Sequence, residues 1–416
     1  MTLHNTIKKD RQIWKFCFYG FFKNLKFFEP YLLVYMLTMG LNLFQIGILY
    51  AIREAITYVF EVPSGIIADH YGKKKELLMC FAFYIVSFLF FFVGSGFGIM
   101  TIGMIFYGLG EAFRSGTHKA IILGYLEHKG WYEHKAFVYG RTRSFSLLGS
   151  SISAFVSIVL VFNLPALKWL FIVCIIPYLV DFLLIASYPA YLDEKQDTDK
   201  TMKAFIQASI EQLKEIKKNL VLRKILLSSA AYDGAFKAIK DYIQPIMGLM
   251  LIGASTRFFM DFSDDQKLKI YLGLIYGVFY IFSSLASRNV HKITHKYQSM
   301  PIFYRSFDAM ALLILLLSFT VSSNYMWLSI FIFFMIYIMK DTRRPVFVDV
   351  CSDYMSKNQR ATVLSVESQI RALLLIIFAP ILGYIADAFS ISTMFLGVGI
   401  SLIVLNRFLK VTDKQS

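Results

Sequence analysis

The stretch Gly65-Ile66-Ile67-Ala68-Asp69-His70-Tyr71-Gly72-Lys73-Lys74-Lys75 lies between two long apolar runs, at 44–66 and 77–98. Each run is long enough to cross a hydrocarbon core of about 30 Å as a helix. The pattern therefore predicts two membrane helices joined by a short basic loop, whose two glycines let the chain turn sharply. We expect Asp69 and the lysines to hold this loop to neighbouring helix ends through charge-assisted hydrogen bonds.

The composition is that of a membrane protein. Of the 416 residues, 57% are hydrophobic and 17% are charged, whereas a soluble chain has about 45–50% apolar and about 25% charged residues. The formal net charge is +15, but the positive residues lie mostly in the connections of one side, which argues against a nucleic-acid partner. The four cysteines have no paired spacing, so we expect neither a disulfide nor a metal site.

The apolar runs and their breaks predict twelve membrane-spanning helices, here called spans 1 to 12. The spans cover 18–40, 44–66, 77–98, 100–125, 137–162, 167–188, 225–250, 270–290, 300–321, 325–351, 361–386 and 391–409. With the N-terminus inside, basic residues collect in the even-numbered connections. The outer connections and their edges contain only Lys168, Arg257, Lys267 and Lys269. This positive-inside asymmetry predicts that both termini are cytoplasmic.

The longest polar stretch, 189–224, divides the spans six and six. Within it, apolar residues recur at helical spacing from Phe205 to Leu220, with lysines between them. This pattern predicts an amphipathic helix on the anionic cytoplasmic leaflet, although a plain linker helix explains it equally well. We therefore predict an N-terminal six-helix half at 1–188, a cytoplasmic linker at 189–224 and a C-terminal six-helix half at 225–416.

A short internal repeat relates span 4 to span 10. Tyr107-Gly108-Leu109-Gly110-Glu111-Ala112-Phe113-Arg114 aligns with Tyr337-Ile338-Met339-Lys340-Asp341-Thr342-Arg343-Arg344. In each stretch an acidic residue and an arginine are three residues apart, so they share one helix face and can pair. We expect Glu111 to pair with Arg114, and Asp341 with Arg344.

Charged residues are frequent inside the predicted spans. Each costs roughly 2.5–3.5 kcal/mol on insertion scales, so such residues usually face a cavity and have a function. A cation that moves relative to a buried carboxylate changes whether that carboxylate holds a proton. The alternative is that the charges form fixed ion pairs between helices. The candidates for proton coupling or substrate binding are Glu29, Arg53, Glu54, Glu111, Arg114, Asp233, Lys237, Asp341, Arg344, Glu367 and Arg371. Asp181 in span 6 is outside this group, and we expect it near a helix contact or a helix end.

The sequence after span 2 resembles a known family. The pattern G-x-x-x-D-x-x-G-K-K at 65–74 is similar to the signature loop of the major facilitator superfamily, which often has arginine where this chain has His70 and Lys73. The resemblance implies an all-α membrane fold of twelve helices in two six-helix halves, arranged as parallel repeats about an axis normal to the membrane. It also implies that spans 1, 4, 7 and 10 line a central cavity. A gating role, not a substrate-binding role, is implied for Gly65, Asp69, Gly72, Lys73 and Lys74.

Two further patterns of that family are absent from this chain. An arginine four residues before a glycine is expected in span 4, but Met104 occupies that position before Gly108. Span 5 has Ser146-Leu147-Leu148-Gly149-Ser150-Ser151, with one glycine and no proline, where antiporters have a glycine–proline pattern. These departures count against proton-driven drug export.

The resemblance implies secondary active transport of a small molecule by alternating access, with protons as the coupling ion. The first expectation is efflux of small amphipathic molecules by an antiporter. The alternative is uptake of a small nutrient or metabolite, anionic if Arg114, Arg343 and Arg344 bind it. A third possibility, from another class, is a receptor that keeps the fold without transporting.

Neither an enzyme nor an ATP-driven pump is expected. The sequence contains no phosphate-binding loop and no nucleophile motif, so we expect no catalytic residue and no cofactor. The expected partners are a small-molecule substrate, protons and the lipid bilayer. We expect a monomer in the plasma membrane.

Overall fold

The computed structural model describes residues 3–193, 219–251, 262–296, 299–355 and 360–410, without the side chains of Leu3, His4, Asp69, Ala136, 287–296 and 360–362. All regular secondary structure in these ranges is helical. The α-helices are α1 (Leu3–Lys9), α2 (Arg11–Lys23), α3 (Leu32–Thr38), α4 (Leu43–Tyr71), α5 (Lys73–Val93), α6 (Phe97–Arg114), α7 (Thr117–His128), α8 (Lys135–Asn163), α9 (Trp169–Ala186), α10 (Leu220–Ile239), α11 (Ile243–Leu251), α12 (Asp264–Lys296), α13 (Ser299–Ser322), α14 (Met326–Ser352), α15 (Arg360–Ala388) and α16 (Ile391–Leu409). Short 3-10 turns lie at Glu29–Tyr31, Tyr132–His134, Ala190–Asp193 and Lys240–Tyr242. The amphipathic helix predicted within 189–224 falls almost entirely outside the described residues.

The helices follow the predicted spans in chain order. Among the described helices, eight are long and apolar enough to cross a membrane, and they correspond to spans 2, 3, 5, 6, 8, 9, 11 and 12. Spans 1, 4 and 7 are interrupted, while the helix of span 10, α14, carries five charged residues. The four spans that deviate from a plain apolar helix are therefore spans 1, 4, 7 and 10.

The prediction of continuous helices is wrong for spans 1, 4 and 7. Span 1 is divided between α2 and α3 by an irregular stretch and the turn Glu29–Tyr31, in which Pro30 has no N–H to donate along a helix. Span 4 is divided between α6 and α7 at Gly116, whose φ is 79°. In span 7 the adjacent charges Lys240 and Asp241 form a 3-10 turn between α10 and α11. Such interruptions free backbone groups at membrane depth.

A single residue separates α4 from α5. α4 continues through Gly65, and Gly72 alone turns the chain, with a φ of 103°. The predicted loop over 65–75 is therefore wrong in its extent, because one glycine with positive φ is enough to end one helix and begin the next. A Cβ at Gly72 would also collide with the carboxylate of Asp193.

The described residues form two compact units. Unit 1 contains 3–35, 55–193 and 269–281, and unit 2 contains 36–54, 219–251, 262–268, 282–296, 299–355 and 360–410. Two segments differ from the predicted halves. The first part of α4 belongs to unit 2, and a part of α12 belongs to unit 1.

Close helix contacts explain the place of α4 in unit 2. Gly47 lies against the backbone of α15, and Gly383 lies against the carbonyl of Leu43, so closely that a Cβ at either glycine would collide. The carboxylate of Asp387 accepts hydrogen bonds from the backbone N–H groups of Leu43 (3.1 Å) and Phe44 (2.7 Å), at the start of α4. The contact combines two glycines with a helix cap supplied by another part of the chain.

A similar contact explains the place of α12 in unit 1. Gly273 lies against the side chain of Ile158, and Gly277 lies against the ring of Phe155 on α8. A side chain at either glycine would have to displace its neighbour. Small residues let membrane helices approach closely in this way.

Candidate functional site

Polar side chains of unit 1 form one connected group, which we call the Glu111 cluster: Lys26, Tyr84, Tyr107, Glu111 and Arg114. The carboxylate of Glu111 pairs with Arg114 and accepts a hydrogen bond from the Tyr84 hydroxyl (2.7 Å). The same hydroxyl accepts one from Nε of Arg114 (3.2 Å). Nζ of Lys26 lies 3.9 Å from Glu111 and donates to the Tyr107 hydroxyl (2.8 Å). One carboxylate therefore lies between two cations.

Local structure positions each member of this cluster. Glu111 and Arg114 are one turn apart at the end of α6, as the internal repeat predicts. Tyr84 comes from α5, and its ring lies against Gly110, where a Cβ would be 2.8 Å from ring carbons. Lys26 lies in the interruption of span 1, outside any helix.

A second group, in unit 2, is the Glu367 cluster: Ser229, Asp233, Arg344, Glu367 and Arg371. The fully buried carboxylate of Glu367 lies 2.7 Å from Arg344 and 3.3 Å from Arg371. It also accepts a hydrogen bond from the hydroxyl of Ser229 (3.4 Å). Asp233 lies 3.5 Å from Arg371 and 3.6 Å from Arg344. Each guanidinium is therefore within reach of both carboxylates.

Three helices build this second cluster. Ser229 and Asp233 are one turn apart on α10, Glu367 and Arg371 are one turn apart on α15, and Arg344 comes from α14. The side chain of Arg344 is 39% exposed, whereas that of Glu367 is 0% exposed. The cluster thus has a closed acidic end and an accessible guanidinium.

Arg343 has a different environment from its neighbour Arg344. Its guanidinium lies over the rings of Phe303 (3.9 Å) and Tyr232 (4.2 Å). It donates hydrogen bonds to the hydroxyl of Ser228 (3.2 Å) and to the carbonyl of Phe303 (3.4 Å). Within the described part of the chain, no carboxylate lies within 4.0 Å of this buried cation.

The predicted ion pair between Asp341 and Arg344 is not formed. Asp341 instead contacts its neighbour Lys340, at 2.9 Å, while Arg344 contacts Glu367 and Asp233. The spacing in the sequence allowed the pair, but two acidic residues from other helices compete for the guanidinium. The internal repeat therefore holds for the first of its two ion pairs.

The remaining candidates lie in smaller groups. Glu54 lies 2.9 Å from Arg53 and 3.4 Å from Lys237, all within unit 2. Glu29 belongs to the 3-10 turn of span 1 and lies within electrostatic reach of Lys26. Their roles in transport stay predictions.

Of the predicted gating residues, Gly72, Lys73 and Lys74 lie at the junction of α4 and α5, whereas Gly65 and Asp69 lie within the last two turns of α4. The backbone N–H of Lys74 donates to Oδ1 of Asp193 (2.8 Å), and its ammonium donates to the carbonyl of Tyr188 (2.9 Å). Lys73 lines a small polar cavity of about 240 Å³ together with His128. The side chain of Asp69 lies outside the description, so its expected contacts stay a prediction.

Several residues that make contacts in these sites are not among the candidates predicted from the sequence. Tyr84 and Ser229 are neutral, and no sequence pattern distinguishes them from the many other hydroxyl-bearing residues of the spans. Asp193 and Asp387 cap helices that are distant in sequence, a relationship that only the fold reveals. In the described ranges, no group of three or more histidine, cysteine or acidic side chains could hold a metal ion.

Comparison with known proteins gives one family. The model described as Major Facilitator Superfamily matches residues 15–370. A relative from Bacillus subtilis (strain 168), described as an uncharacterized MFS-type transporter, YxaM, is 23% identical over 385 residues, covering 91% of this chain and 89% of the relative.

Solved structures agree with the helical architecture. The crystal structure of the nucleoside transporter NupG matches with a TM-score of 0.76 at 13% identity, covering 96% of this chain and 98% of that chain. A variant of the peptide transporter POT matches with a TM-score of 0.71 at 12% identity, covering 96% of this chain and 93% of that chain. At these identities the likeness shows the fold: an all-α membrane protein like these transporters.

Proposed function

Because the chain belongs to the Major Facilitator Superfamily, as a multi-pass membrane transporter and not an enzyme, we propose that it moves a small anionic solute together with protons. The observation that carries this proposal is the Glu367 cluster, in which a buried carboxylate shares an accessible arginine. Solute and proton binding are linked there by electrostatics.

The balance of charges favours an anionic solute. In this region of unit 2, the guanidiniums of Arg343, Arg344 and Arg371 accompany the carboxylates of Asp233 and Glu367. The planar guanidinium of Arg344 can hold a carboxylate or phosphate through two parallel hydrogen bonds. Its exposure makes it the member that a solute can reach.

Proton coupling follows from competition for Arg344. When an anionic solute takes this guanidinium, Glu367 loses its shortest ion pair in a fully buried position. A buried carboxylate that loses a cation is stabilised by binding a proton. Solute and proton then bind together, which is symport and gives uptake where the proton gradient points inward.

The second candidate function is efflux of small amphipathic molecules by proton antiport. It is supported by an apolar cavity of about 370 Å³ in unit 2, between α10, α15 and α16. Its lining includes Ala231, Gly234, Leu374, Phe378 and Met394. In this case the molecule and the proton exclude each other. The third candidate function is that of a receptor that binds a ligand without transporting it.

The proposed location is the plasma membrane. The excess of basic residues in the even-numbered connections supports a chain in the plasma membrane with both termini in the cytoplasm. Each half of the predicted fold supplies one of the two clusters, so we propose that a monomer is sufficient for transport.

One assay separates these functions by the direction in which protons move. Purified protein is reconstituted into liposomes that contain a fluorescent pH indicator, and solutes are added outside one at a time. An anionic solute that acidifies the lumen indicates symport, whereas a compound that discharges an imposed acidic lumen indicates antiport. Binding by calorimetry without either signal indicates a receptor.

Variants test the assigned residues in the same assay. We expect Glu367→Gln to abolish proton movement while labelled solute still exchanges across the membrane, and Arg344→Gln to abolish both. Arg407→Gln, at an exposed position near the end of α16, is the matched control and leaves both unchanged. Anion transport by Glu367→Gln with unchanged proton movement contradicts the proposal.

A further inference from the structure

Asp181 on α9 has an unusual environment for an acidic residue. Its exposure is 0%, and in the described part of the chain neither carboxylate oxygen has a hydrogen-bond partner. The hydroxyl of Tyr19, 4% exposed and within electrostatic reach of Asp181, also has no partner among the described residues. Neither the Glu111 cluster nor the Glu367 cluster includes these groups.

Asp181 faces the interruption of span 1. The hydroxyl of Tyr178, one turn earlier on α9, donates to the carbonyl of Lys23 (3.1 Å), which is the last residue of α2. Asp181 and Tyr178 share one face of α9, so the carboxylate is directed at the same broken end of α2. Interrupted helices at membrane depth are where transporters place coupling ions.

Lys23 is the cation near Asp181, but it forms no ion pair with the carboxylate. The ammonium of Lys23 lies 5.5 Å from the ring centroid of Tyr19 and within electrostatic reach of Asp181. Other titratable or charged groups near Tyr19, Lys23, Tyr178 or Asp181 are Cys17 on α2, Lys26 in the interruption of span 1, Cys80 and Tyr84 on α5, Glu111 and Arg114 on α6, His118 on α7 and Tyr188 after α9. On α8, Arg141 and Arg143 lie nearer the predicted cytoplasmic end.

The physical chemistry of this site favours the neutral acid. An ionised carboxylate without a hydrogen-bond donor is far less stable in a buried position than the protonated acid. If the ammonium of Lys23 moves onto the carboxylate, the charged form gains a partner and the proton can leave. Such a movement of Lys23 is the change that would exchange the proton for a cation at this site.

We propose that Asp181 is a proton-binding site of this transporter, which holds its proton in the present conformation and releases it when Lys23 replaces that proton. The O–H bond of Asp181 breaks, the proton passes to water, and Lys23 remains an ammonium. This inference rests on the proposed proton coupling and names a further carrier for it.

Two further titratable groups, His118 and Tyr188, lie beside Tyr19. The ring of Tyr19 stacks on that of His118, with centroids 3.6 Å apart. Nε2 of His118 lies 3.2 Å from the hydroxyl of Tyr188. The Tyr19 hydroxyl makes no hydrogen bond to either group among the described residues, so the released proton passes to water and not along this chain of rings.

Infrared spectroscopy tests the protonation of Asp181 without any solute. We expect the difference spectrum between the unmodified protein and Asp181→Asn to contain the C=O band of a protonated carboxylic acid near neutral pH. Asn matches the shape of the neutral acid, so this variant should fold normally. A difference spectrum with carboxylate bands only, at every pH above 5, overturns the proposal.

A second variant tests the role of Lys23. In Lys23→Gln the acid band should persist to higher pH than in the unmodified protein, because the replacing cation is gone. Glu76→Gln, which alters another fully buried acid of unit 1, is the matched control and should leave the Asp181 band in place. Loss of the band in Lys23→Gln contradicts the exchange.

Transport provides an independent readout. Asp181→Asn should exchange labelled solute at the normal rate, while its accumulation driven by a pH gradient falls below that of the unmodified protein, because one of the two proposed proton carriers is lost. Undiminished gradient-driven accumulation by this variant overturns the inference but leaves the Glu367 cluster untouched. If no proton-coupled solute exists, the infrared result still decides whether Asp181 binds a proton.

Discussion

Asp193 accepts a hydrogen bond from the backbone N–H of Lys74, with 2.8 Å between Oδ1 and the nitrogen. A carboxylate is thereby placed at the N-terminus of α5, where the helix dipole and free N–H groups favour a negative charge. Spans 3 to 6 lie between these two residues in the sequence. The junction predicted to gate transport is held by this distant acid.

Removing that acid should weaken the junction. Asp193→Ala should lower the stability of the detergent-purified protein by about 0.5–2 kcal/mol, the usual cost of losing a helix cap. Asp193→Asn keeps an acceptor and should cost less. Thermal unfolding by fluorescence measures both, and equal losses in the two variants would show that the side-chain oxygen does not act as a cap.

Gly72→Ala should destabilise the same junction for two separable reasons. The positive φ of Gly72 strains any other residue, and a Cβ would strike the carboxylate of Asp193. The double variant Gly72→Ala with Asp193→Ala removes the collision but not the strain. A double-mutant cycle should therefore show coupling between the two changes, and additive effects would contradict the collision.

The contact of α4 with α15 should be sensitive to a single methyl group. Gly47→Ala adds a Cβ against a backbone carbonyl that cannot turn aside, so we expect a loss of about 1–3 kcal/mol, as for other overpacked sites. Gly397→Ala is the matched control. That glycine lies in α16 with open space around it, and alanine there should be neutral or stabilising. Thermal unfolding of both variants is the measurement.

The hydroxyl of Tyr84 should contribute to the Glu111 cluster. Tyr84→Phe removes a donor to Glu111 and an acceptor for Arg114, and we expect a cost of about 0.5–1.5 kcal/mol in denaturant titration. Tyr232→Phe is the control, because that buried hydroxyl has no hydrogen-bond partner within the described ranges. A larger loss in the control variant would argue against this assignment.

Removal of one charge from the Glu367 cluster should be costly. Glu367→Gln leaves two guanidiniums with one carboxylate in a largely buried site, and we expect a loss of about 3–5 kcal/mol. Adding Arg344→Gln restores the balance and should recover part of the loss. Neutralising the pair Asp264 and Lys267, 3.3 Å apart with the Asp264 side chain 57% exposed, should change stability by less than about 1 kcal/mol.

The sequence predicts the order of the helices, because hydrophobic length reports directly on the membrane, and eight of the twelve predicted spans correspond to described helices that are long and apolar enough to cross it. It does not predict the interruptions of spans 1, 4 and 7. Those depend on a proline, a glycine and a pair of adjacent charges, all of which also occur in uninterrupted helices: Pro63 lies within α4, and Pro177 lies within α9. A proline alone therefore does not predict a break.

For the candidate sites, spacing along one helix predicts partners only when no competitor is near. The pair of Glu111 with Arg114 is found, whereas Arg344 turns from Asp341 to Glu367, which lies 23 residues away. Asp181 has no charged neighbour at helical spacing in its span, so its isolation becomes visible only when the packing of α2 against α9 is known. Such relationships are set by tertiary structure, which periodicity does not encode.

The contact at Gly47 and Gly383 determines which atoms set the separation of α4 and α15. Where helices pack through large side chains, a change of rotamer can absorb a small shift of one helix. At these two glycines α4 and α15 meet backbone to backbone. The distance between the two helices is therefore fixed there by main-chain atoms, which have no rotamers to change.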